Sequence, residues 1–366
     1  MSDAKLELLD LKKSFDAVEA VKGVSMTVHK GEFLSLLGPS GCGKSTTLSM
    51  IAGLEEATSG DIRVDGQSVV KVPAQRRRIG LVFQDYAVFS KLSVRSNLAF
   101  GLEAQGFPRT ERRQRVAEMA ERLQLDRILD QSAGRLNMSE MQRVALARVL
   151  VTEPQLLLLD EPMSNLDAAL RFALRTELKR IQRSLGQTVL YVTHDQLEAI
   201  SMSDRIAVMR LGELQQIASP EEIFTRPVNR FVAEFIGDPP INLLDCEVRR
   251  DGARAAVQTA LHGPLDLGPL EIAEGRHLLG LRPHTLSLTR EPGPGSAATE
   301  VAVVENLGAE HVAHVTYGDR LVAVTLPPGS VAEGERLHLS LDPAQVHLIE
   351  SGSERVVAHS LSGVAA

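Results

Sequence analysis

Apolar positions follow two different patterns along this chain. Residues 4–37 read as short strands punctuated by Gly23 and Gly31, the last of them an apolar run ending at Leu37. Leu48, Ile51 and Leu54 then recur at helical spacing, and Asp61 to Val64 is strand-like again. Arg109 to Leu125 carries an amphipathic, heavily charged helical pattern, and 142–151 and 168–184 also read as helices. QLLLL at 155–159 predicts a buried strand, and TVLYVT at 188–193 and RIAVMR at 205–210 predict two more. Apolar strands alternating with helices predict a largely parallel sheet covered on both faces.

The pattern changes at 236–243, where IGDPPINL interrupts all periodicity. Beyond it, short runs such as CEVRRDG, LLGLRP, VAVVENLG, HVAHVTYGD, RLVAVTLPPG, RLHLSLDP and VHLIE alternate with Gly and Pro turns. Such spacing predicts a small antiparallel barrel. The expected organisation is an α/β domain over 1–238 and an all-β domain over 239–366, with VAHSLSGVAA at the C-terminal end frayed. A length of 366 residues is consistent with two domains.

Composition narrows the function classes. A formal net charge of -7 argues against a general nucleic-acid binder, which needs a basic field. Two cysteines, Cys42 and Cys246, form no disulfide framework and fit a reducing compartment. The N-terminus MSDAKLELLDLKKSF lacks the apolar stretch of a signal peptide. No run of about 18 apolar residues occurs, so a membrane role is expected to come through a partner.

The chemistry starts at LSLLGPSGCGKSTTLSMIAG. Gly38, Gly43, Lys44 and Ser45 satisfy G-x-x-x-x-G-K-[ST], in the strand–loop–helix context a phosphate-binding loop requires. Across Gly38, Pro39 (which itself has no N–H), Ser40, Gly41, Cys42, Gly43, Lys44, Ser45 and Thr46, backbone N–H groups can curl around anionic oxygens, with a helix N-terminus behind them. Lys44 adds a point charge at the β/γ-phosphates, and the Ser45 hydroxyl suits Mg²⁺. Asp160 and Glu161 follow an apolar strand, at the edge where open α/β sheets bind ligands. Asp160 is the expected Mg²⁺ partner, and Glu161 can polarise the water attacking the γ-phosphate. His194, directly after another apolar strand, can reach the γ-phosphate. Gln84, in IGLVFQDYAVF, can ligate Mg²⁺ and orient water. A kinase or GTPase would share the phosphate loop, but no guanine-reading N-K-x-D is present.

In order, GPSGCGKST, VFQDYAVF, LLLLDEPMSNLD and YVTHDQLEA resemble the ATP-binding cassette of ABC transporters, over residues 4–240. The resemblance implies a P-loop cassette with a helical subdomain at about 88–152. It implies ATP and Mg²⁺ as cofactors, membrane subunits as partners, and a head-to-tail dimer with a second ATPase protomer, the same chain or a different one. By position, Gln84 becomes the Q-loop residue, Asp160 the Walker B aspartate and Glu161 the catalytic carboxylate. Ser164 to Asp167 become the D-loop, His194 the switch histidine, and Phe15 the aromatic that stacks on adenine. RFVAEFIGDPPINLL, GLRPHTLSL and SLDPAQVHLIE are similar to the linker and OB-like regulatory domain of maltose and glycerol-phosphate importer ATPases. That subfamily implies a peripheral subunit on the cytoplasmic face of the plasma membrane. A soluble cassette acting on DNA or ribosomes would bring paired cassettes or long heptads, which this chain lacks.

One motif departs from the family. The signature LSGGQ is replaced by Leu136-Asn137-Met138-Ser139-Glu140, at unaltered distance from Asp160. In the family this element clasps ATP bound to the other protomer. Here Asn137 and Ser139 are the residues available to it, Met138 fills a position where backbone approach needs no side chain, and Glu140 adds a carboxylate. Asn137 with Glu140 predicts a capping box, which keeps a helix start in place. The expectation is a weakened composite site. The alternative is a weakly hydrolysing partner in a heterodimeric pair.

Overall fold

The computed structural model describes residues 3–164, 166–251, 254–259, 265–268, 272–293 and 296–359. It divides into two compact units, Met1–Pro220 and Glu221–Ala366.

The first unit opens with two long strands, β1 (Ala4–Phe15) and β2 (Val18–His29), where the sequence suggested several short ones. Gly23 does not end a strand; it sits inside β2 at φ +88, beside a register shift between the two strands. Then come β3 (Phe33–Leu37), α1 (Lys44–Ala52), β4 (Ser59–Val64), β5 (Gln67–Ser68) and β6 (Ile79–Val82). Helices α2 (Val94–Ala104), α3 (Arg109–Arg122) and α4 (Met138–Leu150) precede β7 (Leu156–Asp160). The unit continues with α5 (Ala168–Leu185), β8 (Val189–Thr193), α6 (Gln196–Met202), β9 (Arg205–Arg210) and β10 (Glu213–Ala218).

Among the described residues, six strands form one sheet in the order β10-β9-β3-β8-β7-β6, parallel except for β9 with β10. The expected parallel sheet is therefore present, with one antiparallel edge. Its central strands are buried on both faces, and alternate residues serve two cores. Phe33, Leu157, Leu159, Val189 and Tyr191 pack with α2, α3, α4 and α5. Leu34, Leu36, Leu156, Leu158, Leu190 and Val192 pack with α1 and a separate antiparallel sheet of order β2-β1-β4-β5. This alternation is the period-2 consequence of strand geometry, and inside β3, β7 and β8 it leaves only the buried Ser35 and the Tyr191 hydroxyl as polar groups besides the strand ends.

The second unit begins with α7 (Pro220–Thr225) and α8 (Arg230–Phe235). The Arg282 guanidinium donates to Phe224 O (3.1 Å), Ala233 O (3.0 Å) and Ile236 O, fastening both helices to this unit. The strands are β11 (Asn242–Asp251), β12 (Arg254–Thr259), β13 (Leu265–Gly268), β14 (Gly275–Leu281), β15 (Leu286–Thr289) and β16 (Ala297–Asn306). They are followed by β17 (His311–Tyr317), β18 (Arg320–Leu326), β19 (Arg336–Leu341), β20 (Val346–Glu350) and β21 (Val356–Ala358). Among the described residues all pairings here are antiparallel, in two sheets of order β13-β12-β11-β14-β20-β21 and β15-β19-β16-β17-β18 around a shared apolar core. The C-terminal end is not frayed throughout: Val356–Ala358 pair with β20, while 360–366 lie outside the described residues.

Candidate functional site

Four neighbouring parallel strands, β3, β8, β7 and β6, deliver four polar elements to one edge of the sheet. The phosphate loop leaves β3 after Leu37, His194 follows β8, Asp160 ends β7, and Gln84 lies two residues past β6. This is the carboxyl edge, where open α/β sheets place ligands.

The phosphate loop is shaped by its glycines. Gly41 (φ +78) and Gly43 (φ +99) hold backbone angles that L side chains avoid, and a Cβ at Gly38 or Gly43 would run into Met209 O or Ala20 O. α1 starts at Lys44 with Gly43 as N-cap, so no side chain satisfies its first-turn amides and no acid competes there. The loop is thus a set of amide donors, and a polyphosphate fits it. Lys44, 4% exposed, donates to Gly38 O (2.8 Å) and Pro39 O (3.0 Å), which folds its ammonium over the loop. Cys42 is buried, and burial pushes its thiol up despite the nearby Lys44. A cavity of about 200 Å³ is lined by Ala20, Ser40, Gly41, Gly43, Lys44, Ser45, Thr46 and Glu161.

Ser45 Oγ donates to Asp160 Oδ1 at 3.0 Å, so the two expected Mg²⁺ partners stand together. Burial raises the Asp160 carboxyl above the usual range; the Ser45 hydrogen bond and Lys44 oppose this, and Glu161 adds to it. Among the described residues no cluster of three or more His, Cys, Asp or Glu can hold a metal. The hydroxyl of Ser45 and the carboxylate of Asp160 are hard oxygen donors of the kind that suits Mg²⁺.

Glu161 adopts φ +44, a left-handed angle that costs a non-glycine residue about 1–2 kcal/mol, and its N–H donates to Val192 O at 3.0 Å. That turn takes its carboxylate off the strand direction and into the cavity, where Oε2 meets His194 Nδ1 at 3.0 Å. His194 is half exposed, on the loop between β8 and α6.

Gln84 does not join the Ser45–Asp160 pair. Its Nε2 donates to Ser164 Oγ (2.9 Å), and Ser164 Oγ donates to Glu161 O (3.1 Å), so it is tied to the chain just after the carboxylate. Tyr86, which sequence reasoning passed over, donates to Pro162 O at 2.7 Å from a buried position. Asn165, within the expected D-loop, lies outside the described residues. Phe15 ends β1 with its ring 45% exposed and Lys13 Nζ 4.6 Å from its centroid, so it is not a core residue. Asn137 and Ser139 are not brought to this chain's own phosphate loop. Asn137 Oδ1 accepts from Glu140 N (2.9 Å) and Glu140 Oε2 accepts from Asn137 N (3.0 Å), the expected capping box at the start of α4.

Comparison with known proteins decides what this geometry belongs to. Residues 21–164 match the family "ABC transporter" and residues 279–349 the family "TOBE domain". The trehalose/maltose import ATP-binding protein of Thermococcus litoralis is 42% identical, over 97% of this chain and all of the relative. The chain belongs to the ABC transporter ATP-binding family. The xylose/arabinose import ATP-binding protein XacJ of Haloferax volcanii is 43% identical, over 95% of this chain and 94% of its own length. An sn-glycerol-3-phosphate import ATP-binding protein of Rhizobium johnstonii is 37% identical, over 97% and 96%. Among solved structures, cbiO1 of Clostridium perfringens, part of an ABC transporter complex, aligns with a TM-score of 0.56 at 31% identity, covering 62% of this chain and 92% of that one.

As a member of this family the chain is an ATPase, with the α/β cassette and the all-β OB-like TOBE domain that its strands display. Among the described residues, no helix is long and apolar enough to cross a membrane.

Proposed function

We propose that this chain is the energising ATPase of an importer for a carbohydrate or glycerol-phosphate-like solute, held on the cytoplasmic face of the membrane by membrane subunits. The relatives named above support the solute class, since they import sugars and glycerol 3-phosphate. The observation that carries the chemistry is that Glu161 shares one cavity with Gly41, Gly43, Lys44 and Ser45 while bonding to His194.

In this reading the amides of 41–46 and the Lys44 ammonium receive the β- and γ-phosphates of ATP. Lys44 gives up its carbonyl partners for phosphate oxygens. Ser45 and Asp160 would hold Mg²⁺, which supplies positive charge against the developing phosphoryl charge. Glu161 takes a proton from the attacking water, and His194 holds the carboxylate in line through Nδ1. Phe15 offers its exposed ring to adenine. Gln84, bonded to Ser164, relays the position of the loop after Glu161 towards the membrane subunits. A second protomer closes the site through residues Asn137 and Ser139 of its own α4 start, in a homodimer.

The test is Glu161→Gln in the full chain. ATP binding should survive and multiple-turnover hydrolysis should fall by about 10²- to 10⁴-fold. Unchanged hydrolysis would remove Glu161 from the mechanism.

A further inference from the structure

The two groups beside the attacking water, Glu161 and His194, sit on different loops, and each loop has its own anchor. Beneath His194 the anchor is Glu198, 2% exposed on α6. Its Oε2 accepts from Tyr191 Oη and from Thr193 Oγ1, both at 2.7 Å. Thr193 Oγ1 in turn accepts from Asp195 N (2.9 Å), and Asp195 Oδ1 accepts from Glu198 N (3.2 Å) as the N-cap of α6. The residues on either side of His194 are therefore both clamped. Burial raises the Glu198 carboxyl, against the two hydroxyl hydrogen bonds that lower it.

The chain after Glu161 is anchored at its start by Ser164, and Asp167 caps the start of α5. Arg171, one turn into α5, folds back: Nε and Nη2 both donate to Leu166 O, at 3.2 and 3.1 Å. Its remaining arm, Nη1, donates to Asp195 Oδ2 at 2.9 Å. The other carboxylate oxygen of Asp195 is already engaged with α6. One guanidinium thus spans the segment that follows the catalytic carboxylate and the residue that follows the switch histidine. Only a planar fork has donors pointing in both directions.

We propose that Arg171 is a positioning residue for ATP hydrolysis, locking the loop of His194 to the loop of Glu161 so that their 3.0 Å contact is held in register. The inference rests on the ATPase reading. Arg171 bonds to Leu166 O and Asp195 Oδ2, and its effect passes through Asp195. Losing it frees the two loops to shift independently, without altering the phosphate loop that binds ATP.

The experiment pairs Arg171→Met with Asp195→Asn in the full chain. Asn is as good an N-cap as Asp, so this second change keeps the start of α6 while removing the ionic partner. Each single variant should lower kcat about 10- to 100-fold, the scale of a misplacement near 1 Å, with KM for ATP unchanged. The double variant should be no slower than the slower single one. Arg171→Lys, a point charge that reaches one acceptor, should recover part of kcat. A readout independent of turnover is the imidazole NMR signal of His194, assigned by its loss in His194→Gln, which should move in Arg171→Met. Unchanged kcat, a matching rise in KM, multiplicative losses in the double variant, or an unmoved His194 signal would each overturn the proposal.

Discussion

His194 Nδ1 stands 3.0 Å from Glu161 Oε2, closing a contact between the ends of two adjacent parallel strands, β8 and β7. Neither residue reaches that position by extending its strand. Glu161 turns off through a left-handed backbone angle, and His194 is carried past Thr193 by a loop fixed from below. The pair acts as a unit, so its losses should not multiply. His194→Gln and Glu161→Gln should each depress kcat by about 10²-fold or more, and the double variant should match the worse single one. Steady-state hydrolysis of the three variants at saturating ATP checks this.

Asp160 makes a prediction of opposite sign in the two states of the protein. Burial raises its carboxyl, so its folded-state pKa exceeds its unfolded one. Its contribution to stability is fully present below the unfolded pKa and is lost as pH rises through the folded pKa. At neutral pH the ionised carboxylate therefore destabilises the nucleotide-free protein. Asp160→Asn, which keeps an acceptor for Ser45, should raise the melting temperature without ligand and abolish the further rise that Mg²⁺ and ATP give the wild type. Thermal scans between pH 4 and 8 read both effects, and the advantage of the variant should shrink towards the acidic end.

Glu140 is tied to the backbone of Asn137, which makes the altered signature structurally sound and chemically unusual. Gln also completes a capping box, so Glu140→Gln should leave stability unchanged while removing a negative charge expected to face the partner protomer's ATP. Removing about 1 kcal/mol of repulsion corresponds to roughly fivefold in turnover or ATP affinity. Asn137→Ala, by contrast, removes the cap and should cost about 1 kcal/mol of stability. Hydrolysis rates and denaturant midpoints separate the two.

The phosphate loop tolerates no methyl at its first glycine. Gly38→Ala would drive a Cβ into Met209 O and to 2.7 Å from Cys42 Sγ, both within the core under β3 and β9. Overpacking of this kind costs about 1–3 kcal/mol and should distort the loop. A lowered melting temperature together with lost ATP binding is the expected result, measured by scanning calorimetry and titration.

The site was legible in the sequence to the extent that it hangs on continuous apolar runs. FLSLL, LLLLD and VLYVT are buried on both faces, so each motif following them falls at one edge of one sheet. The capping box at Asn137 was legible because it is local. What the sequence did not disclose is tertiary. β10 reads ELQQIA, half polar; it is an antiparallel edge strand in which only Gln216 and Ala218 are buried. β1 and β2 looked broken at Gly23, which instead serves a register shift opposite β1. The bond from Gln84 to Ser164, the reach of Tyr86 to Pro162 and the span of Arg171 to Asp195 join residues far apart in the chain, with no periodicity to announce them. The placement of α7 and α8 with the second unit depended on Arg282, whose carbonyl partners carry no sequence signature.

The most direct measurement is ATP binding by the Lys44→Ala variant of the full chain, followed by calorimetry in the presence of Mg²⁺. Loss of the buried ammonium that folds over Gly38 and Pro39 should abolish measurable affinity for ATP while the fold, read by melting temperature, persists. Wild-type affinity in that variant would contradict the placement of the triphosphate in this loop.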